Sequence, residues 1–198
     1  MTTLKKMIFV PAVAAALIVG CNKSKHGHAD DNSMKMDASA KDKKVAVAHM
    51  MPAKATATQP SQGKPTGDIT FTQTGEKVHI VGTITGLPPG KHGIHIHEKG
   101  DLSAPDLMST GGHFNPEKHI HGGPTTSPVH AGDLGNITAD TSGKGSIDLT
   151  VDDITIGGDK DDILGKAVII HAKEDDLKSQ PAGAAGARIS GGVIEMAK

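Results

Sequence analysis

The sequence predicts an all-β domain, an antiparallel sandwich or barrel of eight short strands. Short segments rich in Ile, Val and Thr recur along the chain, separated by Gly, Pro, Asn and Ser, which is the pattern of strands joined by tight turns. No stretch places apolar residues at convincing helical spacing. The interior must also be aliphatic, because the chain has no Trp or Tyr and only Phe9, Phe71 and Phe114.

In chain order, residues 1–20 carry Lys5 and Lys6 ahead of an apolar run broken only by Pro11. This reads as a secretory signal, too short for a confident membrane span. It ends in Ile18-Val19-Gly20-Cys21, which resembles the lipobox of bacterial lipoproteins. That resemblance implies lipidation of Cys21 and anchoring at a membrane surface. It places the chain in a bacterial envelope: the periplasmic face of the outer membrane in a Gram-negative source, the cell surface in a Gram-positive one. Residues 21–52 lack periodicity and read as a disordered tether. Its His26, His28, Met34, Met36, His49, Met50 and Met51 read as incidental to a solvated spacer, with a copper-gathering tail as the alternative.

Residues 53–198 form the predicted domain. Strands are expected at 54–58, 68–73, 77–87, 91–97, 136–139, 145–151, 166–171 and 188–196, with turns at Gly63/Pro65, Thr74-Gly75, Pro88-Pro89-Gly90 and Ser142-Gly143. Two long loops remain, 98–132 and 172–187. Loops of that length are usually functional or disordered, and the Gly and Pro pairs of the first give it fixed turns. Residues 55–198 carry 12 Lys and Arg against 18 Asp and Glu. A mildly acidic domain without a basic face argues against nucleic acid as a partner. The single cysteine excludes both an internal disulfide framework and a Cys-rich zinc site.

Seven of the twelve histidines fall between His92 and Asp133. His95 and His97 share one face of a strand while Ile94 and Ile96 face a core. One such pair is weak evidence of a metal. The accumulation of His113, His121, His130, Asp133 and, at the end of an apolar strand, His171 makes the case. All-imidazole sites suit copper, and three imidazoles with a carboxylate suit tetrahedral zinc.

The segments His95-Ile-His97-Glu-Lys-Gly-Asp, Gly111-Gly-His113-Phe-Asn-Pro, His121-Gly-Gly-Pro, His130-Ala-Gly-Asp133-Leu-Gly-Asn, Val168-Ile-Ile-His171-Ala-Lys-Glu-Asp175 and Gly186-Ala-Arg188-Ile resemble copper/zinc superoxide dismutases, in order and at matching spacing. The resemblance implies an eight-stranded Greek-key barrel of immunoglobulin-like type with two long functional loops. It implies copper on His95, His97, His113 and His171, and zinc on His113, His121, His130 and Asp133, with His113 bridging the two. By the same resemblance Asp175 tethers ligands of both metals, and Arg188 receives the superoxide anion beside copper. It also implies a possible homodimer. Lys173 and Lys178 are expected to steer the anion, while His79 and His92 are expected to be ordinary polar positions. The rival reading is an envelope copper-binding or storage lipoprotein that retains the fold. One departure stands out. Where the family commonly has a disulfide, this chain has Leu102 or Leu107 and Gly191, so the first long loop lacks its usual crosslink.

Overall fold

The computed structural model describes residues 43–54 and 64–198. Eight antiparallel strands close into a barrel: β1 (Lys44–Pro52), β2 (Thr66–Thr74), β3 (Lys77–Thr85), β4 (Gly90–His97), β5 (Asp133–Ala139), β6 (Gly145–Val151), β7 (Ala167–His171) and β8 (Arg188–Met196). Around the barrel the order is β1-β2-β3-β6-β5-β4-β7-β8, with β8 paired back to β1. The jump from β3 to β6 and the pairing of β4 with β7 are the crossovers of a Greek key. Both long loops fall where expected, at 98–132 and 172–187.

The first strand corrects the sequence reading. It lies at Lys44–Pro52, inside the segment expected to be a disordered tether. Lys54 follows the strand, donating its backbone N–H to Pro105 O at 2.9 Å, and the rest of the predicted 54–58 strand lies outside the described residues. The reason is a weak inward row. Ala46, Ala48 and Met50 face the core, while Val45 and Val47 are half-buried on the other face. Alanine is a poor strand signal, so the alternation is real but quiet. Met50 is therefore a core residue, and His49 on the outer face pairs with Asp68 at 2.6 Å. Cys21, His26, His28, Met34 and Met36 lie outside the described residues.

The core is aliphatic, as composition requires: Ile69, Ile80, Ile84, Ile94, Ile96, Ile137, Ile170 and Ile194 are fully buried around Phe71. Strand β7 is buried along its whole length. Val168 and Ile170 point into the barrel. Ala167 and Ile169 point out of it, and there they pack under Leu107 and Leu102 from the first long loop. A strand that is apolar on both faces needs cover on both, and the loop supplies it. Gly191 on β8 completes this plug. A Cβ there would lie 2.9 Å from Ile169 Cδ1, 3.1 Å from Leu107 Cδ1 and 3.4 Å from Leu102 Cδ2. Where a disulfide is commonly found, two leucines press onto a glycine.

Because β1 hydrogen-bonds to both β2 and β8, the barrel cannot close without it. A chain beginning at Lys43 is expected to show one cooperative thermal transition. A chain beginning at Ala53 leaves the edges of β2 and β8 open and is expected to aggregate or unfold. Circular dichroism melts of the two decide it, and equal folding of both would remove β1 from the domain.

Candidate metal centre

Strand alternation puts the first ligands outside the barrel. His95 and His97 alternate with Ile94 and Ile96, and His171 follows Ile170 at the end of β7, which pairs with β4. The two loops fold over this outer face, so all seven predicted ligand residues are buried. Asp133 opens β5 directly across from His95. The remaining three, His113, His121 and His130, come from the first loop. Its backbone is tied down where His113 leaves it: the Phe114 N–H donates to Ile96 O, the Ile96 N–H to Gly132 O and the Gly132 N–H to Phe114 O, at 2.8–2.9 Å.

Four imidazoles converge on one point. One donor atom from each of His95, His97, His113 and His171 lies within 4.8 Å of the others, and His97 Nε2 faces His171 Nε2 at 3.4 Å. The far nitrogens are engaged elsewhere. His97 Nδ1 is 3.0 Å from Gly111 O, His171 Nδ1 is 3.0 Å from Gly186 O, and His95 Nε2 is 2.8 Å from Asp175 Oδ2. Those acceptors hold the ring protons on the outer side, leaving lone pairs aimed inward.

A second group forms around Asp133. Its Oδ1 lies 2.8 Å from His113 Nδ1, 3.0 Å from His121 Nδ1 and 3.2 Å from His130 Nδ1, and His113 Nδ1 and His130 Nδ1 are themselves 3.5 Å apart. Four donors on a tetrahedron with bonds of about 2.0–2.1 Å stand about 3.3 Å apart, which these distances bracket. Asp133 Oδ2 accepts from the Gly122 N–H at 3.0 Å. His113 thus turns Nδ1 toward one group and Nε2 toward the other.

Asp175 joins the groups from behind. Its Oδ2 meets His95 Nε2 and its Oδ1 meets His121 Nε2 at 2.9 Å. The carboxylate is itself held, because Asn136 on β5 exchanges two hydrogen bonds with the Asp175 backbone, at 2.8 and 2.9 Å. Gly183 must be glycine here: its φ is +63°, and a Cβ would collide with Asp175 Oδ1 and His121 Nε2.

The donor set fits metal ions on two counts. Among the described residues, the buried side-chain atoms without a hydrogen-bond partner include His95 Nδ1 and His113 Nε2, the two nitrogens that point into the first group. An orphaned buried nitrogen is costly unless something binds it. The electrostatics of the buried rings point the same way. Burial lowers His95 to about 4 against its Asp175 hydrogen bond, lowers His171 to about 3, and with His171 alongside holds His97 far below the ordinary histidine range. These rings are neutral and ready to ligate.

Arg188, the chain's one arginine, sits beside the first group at the start of β8. Its Nη1 donates to Leu107 O at 2.7 Å and Thr110 Oγ1 at 2.8 Å, and its Nη2 donates to Gly111 O at 2.7 Å. A cavity of about 650 Å³ opens over His97, His113, His171 and Arg188, with Met108 and Lys118 also lining it.

Comparison with known proteins follows the same residues. A family model described as copper/zinc superoxide dismutase matches residues 65–194. The chain belongs to the copper/zinc superoxide dismutase family. It is 47% identical over 138 residues to the extracellular superoxide dismutase [Cu-Zn] of Drosophila melanogaster, covering 65% of this chain and 74% of that one. It is 44% identical over 137 residues to the extracellular superoxide dismutase [Cu-Zn] of Haemonchus contortus, covering 66% and 74%. The crystal structure of the clock protein EA4 superposes with a TM-score of 0.66 at 44% identity, covering 78% of this chain and 95% of that one.

Around this copper/zinc superoxide dismutase site the structure adds residues that sequence reading missed. His92 is buried, with Nδ1 2.9 Å from His171 O and Nε2 2.7 Å from Pro88 O, so it braces a predicted ligand rather than decorating a surface. Its sequence signal was a lone histidine in a strand, which is no signal. Gln180 clamps the His121 backbone from the second loop, at 2.8 and 2.9 Å. Lys118 lines the cavity, whereas Lys173 lays its stem along Gly186. His119 is exposed, with Nδ1 near Val129 O, and His79 pairs with Asp148 on the surface.

His121 titrates the other way. Burial works against its cation, yet hydrogen bonds donated by its ring to the Asp133 and Asp175 carboxylates outweigh this and raise it to about 9. In the metal-free chain, His95 and His171 therefore contribute stability that is full above the unfolded value of about 6.5 and lost as pH falls toward about 4 and 3. His121 contributes stability that is full below about 6.5 and lost as pH rises through about 9. The melting temperature of chelator-treated protein is expected to peak near pH 6.5 and to fall on both sides, the alkaline fall vanishing on zinc addition. A metal-free melting temperature that climbs steadily from pH 6.5 to 9 would contradict this.

Proposed function

We propose that this chain is a superoxide dismutase of a bacterial envelope, held there by lipid on Cys21. The observation that carries the activity is the coincidence of the four-imidazole group with a half-buried arginine facing the same cavity. In this reading His95, His97, His113 and His171 hold copper, and His113, His121, His130 and Asp133 hold zinc. Bound copper supplies the one-electron cycling by which one superoxide is oxidised to dioxygen and the next reduced to peroxide, while zinc supplies fixed positive charge.

The chain's own groups do the rest. Arg188 offers a planar, permanently charged donor to a small anion; burial lowers its pKa, but from so high a start that it stays cationic. Lys118 at the cavity lining adds positive potential in an otherwise acidic domain. His113 keeps Nδ1 on the Asp133 side and can hold a proton at Nε2, the atom facing the cavity side, for delivery to the reduced product. Asp175 keeps His95 and His121 oriented throughout. Glu98 lines the same cavity, and its carboxylate accepts from the Gly112 N–H at 3.3 Å.

Replacing Arg188 with Gln removes the charge without removing a ligand. Copper and zinc content should stay near wild type, and superoxide turnover should fall by about tenfold or more, equivalent to about 1.4 kcal/mol of lost transition-state stabilisation. Added salt should slow the wild type. Fully metallated wild type with no superoxide turnover above that of free copper would leave a copper carrier.

The anchor rests on the residues preceding and including Cys21, the only thiol in the chain. Lys5 and Lys6, the apolar run and Ile18-Val19-Gly20-Cys21 support it. Expressed in a bacterium, Cys21→Ser is expected to move from the membrane fraction to the soluble envelope fraction. Unchanged membrane fractionation of that variant would end the lipoprotein assignment.

A further inference from the structure

We propose that Thr110 is a positioning residue for Arg188: its buried hydroxyl sets the orientation of the guanidinium at the copper cavity, and with it the capture of small anions. The proposal rests on the dismutase reading above. Thr110 is fully buried in the short 3-10 helix Met108–Thr110 of the first loop. Its hydroxyl sits 2.8 Å from Leu107 O and 2.8 Å from Arg188 Nη1. A hydroxyl has one proton to give. His97 Nδ1 is a poor alternative recipient at 3.4 Å and already lies closer to Gly111 O. The proton therefore goes to Leu107 O, and the oxygen's lone pairs are left facing Nη1. Leu107 O and Gly111 O take one N–H from each terminal nitrogen; the Thr110 oxygen takes a second from Nη1.

This contact matters more here than a neutral hydrogen bond would. The loop is held to β8 by packing of Leu102 and Leu107 on Gly191, without a crosslink. Packing sets how close the loop comes but not how a planar fork is rotated. Hydrogen bonds to a charged group are directional and stronger than neutral ones, so the three acceptors on residues 107, 110 and 111 define the guanidinium plane. Removing the middle one leaves a buried N–H of a cation facing a methyl group.

The test uses full-length protein and three variants. Thr110→Val is isosteric and lacks the hydroxyl, Thr110→Ala lacks it without added bulk, and Thr110→Ser keeps it. Arg188 is the chain's one arginine, so its side-chain NMR signals in zinc-loaded, copper-free protein are unambiguous and need no turnover. Wild type and Ser should show slow rotation about the Cζ–Nη bonds. Val and Ala should show fast rotation, at unchanged copper and zinc content. Azide, titrated into the copper-loaded protein and followed by its absorption band, should bind Val and Ala roughly tenfold more weakly and Ser nearly as wild type. Wild-type Arg188 rotation and azide affinity in both Val and Ala would overturn the proposal, as would a Ser variant that behaves like Val. If Val proves unstable, Ala alone decides. A wild type that binds azide but does not turn over superoxide would sink the dismutase reading while leaving the Thr110 contact to be read from the arginine signals.

Discussion

Six buried imidazoles and two buried carboxylates in mutual contact are the constraint on which this structure turns. Burying such groups without partners costs several kcal/mol each. Here the cost is offset by sorting the atoms: His95, His97, His121 and His171 each give one nitrogen to an outer acceptor and aim the other at one of two convergence points, while His113 aims one nitrogen at each. The carboxylates of Asp133 and Asp175 carry the negative charge. Burial alone would push both toward protonation, but hydrogen bonds, from His113 and His121 to Asp133 and from His121 and His95 to Asp175, hold them well below the usual carboxylate range. Asp175 is the more consequential of the two, since one side chain fixes a ring from each group. Its own placement depends on Asn136 in the sheet and on Gly183 leaving room. The two convergence points are therefore mechanically one object.

That object lies outside the barrel, and this explains the odd arrangement of apolar residues. Strand β7 must be apolar on both faces because the first loop, not solvent, covers its outer side. Leu107 takes part in both halves of the architecture. Its side chain packs on Ala167, Ile169 and Gly191, and its carbonyl accepts from Arg188. The residue before the 3-10 helix, in left-handed conformation with φ of 62°, thus couples the apolar plug to the cation at the cavity. Replacing a covalent link by such packing trades a constraint on the unfolded chain for burial of Leu107 and partial burial of Leu102, worth at most about 1.5–3 kcal/mol each.

Much of this was legible in the sequence, and the exceptions have physical causes. Seven strands, both long loops and the seven side chains that converge at the two points could be read because strand alternation and residue chemistry are local. The HxH of His95 and His97 needs only a strand to bring both rings to one face. Strand β1 escaped because its inward row is Ala46, Ala48 and Met50, too small to register as a core. Asn136, Gln180, His92 and Thr110 escaped because each acts on a backbone or side chain far along the chain: Asn136 on Asp175, Gln180 on His121, His92 on His171, Thr110 on Arg188. A polar residue that completes another's geometry has no periodicity to announce it.

The position of Arg188 shows why stability and chemistry cannot be separated in this chain. The same guanidinium that faces the cavity also ties residues 107, 110 and 111 to β8. The N–H groups committed to Leu107, Thr110 and Gly111 fix how the guanidinium plane is turned toward the cavity. A loosened loop would therefore not merely fray. It would turn the cation away from the four-imidazole group while leaving those four rings where they are, because His95, His97 and His171 are on strands and His113 is pinned through Phe114 and Gly132 to Ile96. Metal content and anion capture thus depend on different parts of the same loop: the first on the backbone ladder near His113, the second on the turn at Leu107–Gly111.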